Sequence, residues 1–194
     1  MNIEYLIDKG DFRHSADWIK ILSDIKASID KVVWPAGNKL FILNPSKGRG
    51  RGEGNGVKPI KDACMVMLKS RGWETEERKN PYRLDAIKHL SIKNYFGLEW
   101  ETGNISSTHR AINRILLAHQ EDSLAGGAVI VPTRSLYRFL TDRVGNFEEL
   151  KPYFPLWRSQ NWENGILAIF AVEHDGTDKS IPRISKGTDG RALV

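Results

Sequence analysis

The strongest pattern in the chain is the unbroken apolar run ILAIFAV at 166–172. A run with no polar face predicts a strand at the centre of a sheet, covered on both sides. AVIV at 128–131 predicts a second buried strand, and LFIL at 40–43 a short one. Elsewhere the spacing is helical. Trp18, Ile19, Leu22, Ile25 and Ile29 recur at intervals that place them on one helix face, and Trp34-Pro35 breaks the pattern. The first 45 residues thus read as a helical region followed by a strand. A helix follows over 60–69, with Ala63, Met67 and Leu68 apolar. Strands are predicted at 82–87 (YRLDAI) and 95–101 (YFGLEWE). Over 105–119, Ile105, Ile112, Ile115 and Leu116 gather on one side of a helix, and Ser106 and Ser107 stand where hydroxyls cap a first turn. Leu136, Tyr137 and Leu140 mark a short helix. Another spans 147–153, opened by Asn146, with Glu148 and Glu149 at its positive end. Strands alternating with helices predict an α/β fold, a sheet flanked by helices, in a single domain over 1–194.

Composition narrows the setting. The 194 residues are 40% apolar and 27% charged, enough for one core. The one cysteine, Cys64, allows no internal disulfide. No run is long enough to span a membrane, and the N-terminus carries early acids without the apolar segment of a signal peptide, so a cytoplasmic protein is expected. Lys and Arg outnumber Asp and Glu, 29 to 24, which suits a polyanionic partner without requiring one. Lys47, Arg49 and Arg51 sit among Gly48, Gly50, Gly52, Gly54 and Gly56. That stretch is either a plain surface loop or a basic arm that orders on phosphates. The five histidines lack zinc spacing, and no phosphate-binding glycine loop is present.

The acids carry the candidate chemistry. On a strand, Glu99 and Glu101 share a face while Trp100 points the other way. Like charges side by side call for a compensating cation. If the strands at 82–87 and 95–101 pair as a hairpin, Asp85 joins the glutamates in an all-oxygen site of the kind Mg²⁺ prefers, able to serve phosphodiester cleavage. The alternative is a solvated strand face. The segment from Thr102 leads directly into the next helix, whose N-terminus suits a polyanion, and Asn104 and Ser106 would project there toward base edges. Asp142-Arg143 is either a local ion pair or a second reading head for G·C pairs. Three functions remain open on these residues: a metal-dependent, sequence-specific nuclease, a DNA-binding protein without catalysis, and an α/β protein whose charges are merely solvated.

ETGNISSTHR at 101–110 and LTDRVGNFEELKPYF at 140–154 resemble the BamHI-type restriction endonucleases. WPA at 34–36, NGVKPIK at 55–61 and KGTDG at 186–190 are similar to further segments of that family, in the same order. The resemblance implies the PD-(D/E)xK nuclease core, a central mixed β-sheet flanked by helices on both faces. It implies a homodimer that cuts double-stranded DNA at the palindrome GGATCC after the first G, leaving 5′-phosphates and GATC overhangs. Two Mg²⁺ per site are implied, with Mn²⁺ substituting and Ca²⁺ binding without cleavage. A methyltransferase would protect the host.

The resemblance also assigns residues. Asp85 and Glu99 are implied metal ligands, with the Trp100 carbonyl. Glu101 stands where most of the superfamily has lysine and is implied to activate water. Glu76 is the expected fourth acid, with Glu74 and Glu77 as rivals. Asn104 and Ser106 are implied readers of the inner A·T pair, and Arg110, Asp142 and Arg143 of the G·C pairs. Lys61 resembles a further major-groove contact, and Asp189 and Gly190 a minor-groove arm. The helices over 105–119 and 146–154 would form the dimer interface, with Glu121 of one subunit meeting Arg158 of the other.

Overall fold

In the computed structural model, residues 1–47, 54–75, 83–91, 95–141 and 144–185 are described. The first element is a strand, β1 (Asn2–Lys9), where the sequence reading placed only a helical region. Its burial is confined to Leu6 and Ile7, so it lacks the apolar run or clean alternation that would have revealed it. After it come α1 (Ala16–Asp30), opened by Ser15, whose hydroxyl accepts from the Trp18 amide, and β2 (Ile42–Leu43). Then follow α2 (Lys58–Ser70), β3 (Glu74–Thr75), β4 (Ala86–His89), β5 (Tyr95–Trp100) and α3 (Ile105–Gln120). The second half holds β6 (Leu124–Pro132), α4 (Arg134–Tyr137), α5 (Phe147–Leu150), α6 (Phe154–Arg158), β7 (Gly165–Val172) and β8 (Gly176–Thr177).

One six-stranded mixed sheet orders these strands β1-β7-β6-β5-β4-β3. β5, β6 and β7 run parallel, while β1, β4 and β3 pair antiparallel with their neighbours. The apolar run at 166–172 is buried throughout, as a central strand must be. Phe96, Leu98 and Trp100 of β5 join Ala128 and Ile130 of β6 in a core with side chains of α1 and α2. The alternate residues Val129 and Val131 join Leu167 and Ile169 in a second core under α3, α5 and α6. Helices therefore cover both faces. Gly127 lets α3 close on β6: a Cβ there would stand 2.7 Å from Ile115 Cγ2.

Several expectations change in detail. The predicted strand at 82–87 begins only at Ala86, leaving Asp85 just ahead of it. The run at 40–43 contributes only β2, which pairs with β8 outside the main sheet, while Leu40 is exposed. The predicted helix at 147–153 is a helical turn, α5, followed by a 3-10 turn into α6. Asn146 does cap it, accepting from the Glu149 amide.

Asp24 of α1 fastens these layers at the far end of β4. It is buried, accepts from Trp73 Nε1 at 3.0 Å and Arg71 Nη1 at 3.1 Å, and lies 3.8 Å from Lys88 Nζ. Lys88 also donates to the Arg71 and Gly72 carbonyls. Removing the acid would leave the buried Trp73 indole without this acceptor and Arg71 and buried Lys88 without their counter-charge. Asp24→Ala is expected to destabilise the fold by about 3 kcal/mol, read as a lowered urea midpoint at unchanged slope.

Candidate active site

The antiparallel pairing of β4 with β5 sets Ala86 opposite Leu98. The residue before β4 thus meets the end of β5, where Glu99 and Glu101 lie. Asp85 Oδ2 accepts from the Trp100 amide at 2.8 Å, which pins its side chain to β5. The Trp100 indole packs into the core on the α1 and α2 side. Glu99 and Glu101 face α3 instead and are only 5% and 9% exposed. The solvated-face alternative for this tripeptide is therefore wrong. Solvation would need the glutamates open to water, and they are packed under α3 instead.

Two cations offset the charge. Lys61 of α2 donates to Asp85 Oδ1 at 2.6 Å. Arg114 of α3 donates to Glu99 Oε1 at 2.8 Å. The Thr108 hydroxyl, also on α3, donates to Glu101 Oε2 at 3.4 Å. Burial still dominates: it pushes the Glu99 carboxyl well above the usual range, and the neighbouring Asp85 pushes it further. Burial, with Asp85, raises Glu101 as well, against the opposing Thr108 hydrogen bond and the Lys61 charge.

These acids and the Trp100 carbonyl between them are hard oxygen donors. Two carboxylates with room for water and phosphate make up a typical Mg²⁺ set. The pairing of half-buried Asp85 with buried Glu99, whose charges repel, fits a cation. Among the described residues, no three acidic, histidine or cysteine side chains are grouped so as to hold a metal ion by themselves; a cation here would take the rest of its shell from water and substrate oxygens.

The DNA-facing candidates lie beside it. Glu101 is followed by a three-residue link and then α3, whose N-cap is Asn104: its Oδ1 accepts from the Ser107 amide at 3.1 Å. The expected capping by Ser106 and Ser107 is displaced by this asparagine, which precedes both and has extended backbone. Asn104, Ser106 and Arg110 are exposed along the start of α3. Gly145 ties the loop after Thr141 to this link, its amide donating to the Gly103 carbonyl at 2.9 Å. A Cβ on Gly145 would stand 2.4 Å from Thr108 Oγ1, so glycine is what permits the approach.

The other candidates fall elsewhere. Lys61 is brought into the acid cluster. Glu74 pairs with His89 at the exposed far end of β4. Arg158 donates to Glu4 of its own chain, and Glu121 is the exposed C-cap of α3. Glu76, Glu77, Asp142, Arg143, Asp189 and Gly190, with Arg49 and Arg51 of the basic loop, lie outside the described residues. Sequence reasoning missed Thr108 and Arg114. Their signal was the requirement for a cation near paired glutamates, but nothing in the spacing said which helix would supply it.

Residues 1–191 match the family described as restriction endonuclease BamHI. The chain belongs to the BamHI family of restriction endonucleases. It is 48% identical to the Type II restriction enzyme OkrAI of Oceanobacter kriegii, over 98% of this chain and 97% of that protein. It is 33% identical to the Type II restriction enzyme BamHI of Bacillus amyloliquefaciens, over 96% and 90%. The family is therefore one of Type II site-specific deoxyribonucleases. The fold is similar to that of restriction endonuclease BglII crystallised with a DNA 16-mer, at a TM-score of 0.62 and 10% identity, covering 96% of this chain and 90% of that one. That likeness supports the fold assignment, the PD-(D/E)xK nuclease core. Among the described residues, no helix is long and apolar enough to cross a membrane.

The raised carboxyls make stability depend on pH in a definite sense. A carboxyl whose pKa rises on folding contributes stability in full below its unfolded value of 4.5, and loses it as pH climbs toward the folded value. Glu99→Gln keeps an oxygen for Arg114 and removes the charge. It is expected to raise the melting temperature of the metal-free protein at about pH 8, each kcal/mol giving roughly 2–4 °C, with the gain vanishing near pH 4–5. Thermal melts across pH check this, and a gain that grew on acidification would contradict it.

Proposed function

We propose that this chain is a Mg²⁺-dependent endonuclease that cuts double-stranded DNA at GGATCC, after the first G of each strand, leaving 5′-phosphates and GATC overhangs. The observation that carries the reading is the contiguity of buried Glu99 and Glu101 and half-buried Asp85 with the exposed start of α3. A protein that only bound DNA would have no use for carboxylates buried beside a phosphate-facing helix end.

In this reading Asp85, Glu99 and the Trp100 carbonyl hold Mg²⁺, two ions per site, with Mn²⁺ replacing it and Ca²⁺ binding without cleavage. When bound, the ion neutralises charge on the scissile phosphate and acidifies water. Glu101 orients the attacking water and accepts its proton, a task suited by its raised pKa. Attack is in line at phosphorus, and the 3′-oxygen leaves. Thr108 holds Glu101 in place, and Lys61 keeps positive charge beside Asp85. Asn104 and Ser106 read the inner A·T pair, and Arg110, Asp142 and Arg143 the G·C pairs. Glu76 remains the proposed fourth acid, and Asp189 with Gly190 the minor-groove arm. The enzyme works in the prokaryotic cytoplasm alongside a methyltransferase that protects the same site.

The palindrome asks for a two-fold dimer, with one such acid cluster from each chain to cut each strand. Leu117 on α3 and Leu156 on α6 are 59% and 62% exposed, and Tyr153 between α5 and α6 is also open. His109 of α3 packs edge-on against Tyr153 and Trp157, so these helices already form one surface. A second copy would cover it. The bridge between Glu121 of one subunit and Arg158 of the other must compete with Glu4 for the guanidinium.

Incubation of plasmid DNA with protein and Mg²⁺ is expected to give discrete fragments whose run-off sequencing reads the GGATCC cut. Retarded but intact DNA would favour the non-catalytic reading. Asp85→Ala and Glu101→Ala are expected to abolish cutting while retaining specific binding, because they remove negative charge near phosphate and no base contact. Near-normal cutting by either variant would remove that residue from the active site. A double-mutant cycle on dimer dissociation is expected to give Glu121 and Arg158 a coupling of about 0.2–1 kcal/mol. Zero coupling would dismiss the bridge.

A further inference from the structure

We infer that Arg114 is a positioning residue of this active site, holding Glu99 and the turn that carries Asp85 in one geometry from within α3. The inference rests on the metal-dependent nuclease reading above and extends it to a residue that motif comparison did not single out.

A single nitrogen makes the connection. Arg114 Nη1 donates to Glu99 Oε1 at 2.8 Å and to the Arg83 carbonyl at 2.6 Å. Arg83 has φ of +51°, in the left-handed region that side-chain-bearing residues rarely occupy. Such a backbone persists only where its surroundings hold it, and the guanidinium supplies a contact on the carbonyl. Two residues on, Asp85 is fastened to the Trp100 amide, immediately after Glu99. The connections therefore close a ring: Arg114 to the Arg83 carbonyl, along the chain to Asp85, across to Trp100, back to Glu99 and to Arg114. Breaking it at Arg114 frees the Glu99 carboxylate and the 83–85 turn together.

A positioning role differs from simple charge balance in the sign of its effect. Were Arg114 only a counter-ion to Glu99, its removal would uncover the carboxylate and tighten cation binding. A positioning residue does the opposite, because two ligands that no longer converge bind a cation less well. Partners that orient ligands in this way typically cost about 10–100-fold when removed.

The test titrates Ca²⁺ calorimetrically into the protein bound to an uncleaved GGATCC duplex, for the wild type, R114M and R114K, with DNA affinity, single-turnover cleavage in Mg²⁺ and melting temperature measured alongside. R114M is expected to weaken Ca²⁺ binding by about 10–100-fold and to slow the cleavage step, with DNA affinity unchanged. R114K, which keeps an ammonium donor, is expected to recover part of both. R114Q replaces R114M should the latter fail to fold. Wild-type cation affinity and cleavage in the folded R114M or R114Q variant would overturn the inference, as would tighter Ca²⁺ binding. A wild-type protein that neither takes up Ca²⁺ nor cuts would overturn the nuclease reading itself, and this inference with it.

Discussion

Carboxylates repel one another and lose hydration when buried together, and both costs grow in low dielectric. Glu99 and Glu101, with half-buried Asp85 beside them, stand under that constraint, and much of the surrounding structure answers it. β4 and β5 form a hairpin whose register brings Asp85 against the Trp100 amide. α2 delivers Lys61 to Asp85, and α3 delivers Arg114 to Glu99 and Thr108 to Glu101. The compensation is incomplete, since the Glu99 and Glu101 carboxyls remain raised. A binding site for a cation needs that incompleteness. Full neutralisation by protein groups would leave no gain for an added ion.

α3 joins tasks that are usually spread over several elements. Its N-terminal end, capped by Asn104, exposes Ser106 and Arg110. One side of it touches two of the acids through Thr108 and Arg114. Its buried stripe of Ile112 and Ile115 packs on the sheet, and the side bearing Leu117 stays open. Any tilt of this helix moves the groups that hold the carboxylates. The approach of Gly145 to Thr108 extends the same linkage to the loop that follows Thr141. A contact at the start of α3 or at Gly145 is therefore mechanically close to Glu101.

Much of this was legible in the chain, for reasons that differ by element. β7 declared itself through seven apolar residues in a row, and α1 and α3 through helical spacing. Glu99 and Glu101 sharing a face followed from strand geometry alone, and two adjacent strand patterns allowed, without requiring, the hairpin that brings Asp85 to them. β1 was not legible, because an edge strand with two buried residues has almost no hydrophobic signature. The Asn104 cap was displaced from the serines by backbone conformation, which composition does not reveal. Lys61 was visible only through family resemblance, and its contact with Asp85 depends on how α2 packs. Arg114 was anonymous, one arginine among many, because its partners lie 15 and 31 residues away in sequence.

The position of Glu101 explains why such distant partners are needed. The strand β5 itself brings only negative charge to this cluster, and the cations come from the helices instead. Lys61 and Arg114 belong to helices on opposite faces of the sheet, so the only place both can reach is the open end of β4 and β5. That is also where ligands bind in α/β sheets, beyond the carboxyl ends of parallel strands. Charge balance at the acids is thus controlled by the two helix layers and not by the strand. The site can be complete only when both layers are docked on the sheet, which makes its geometry a readout of the whole fold.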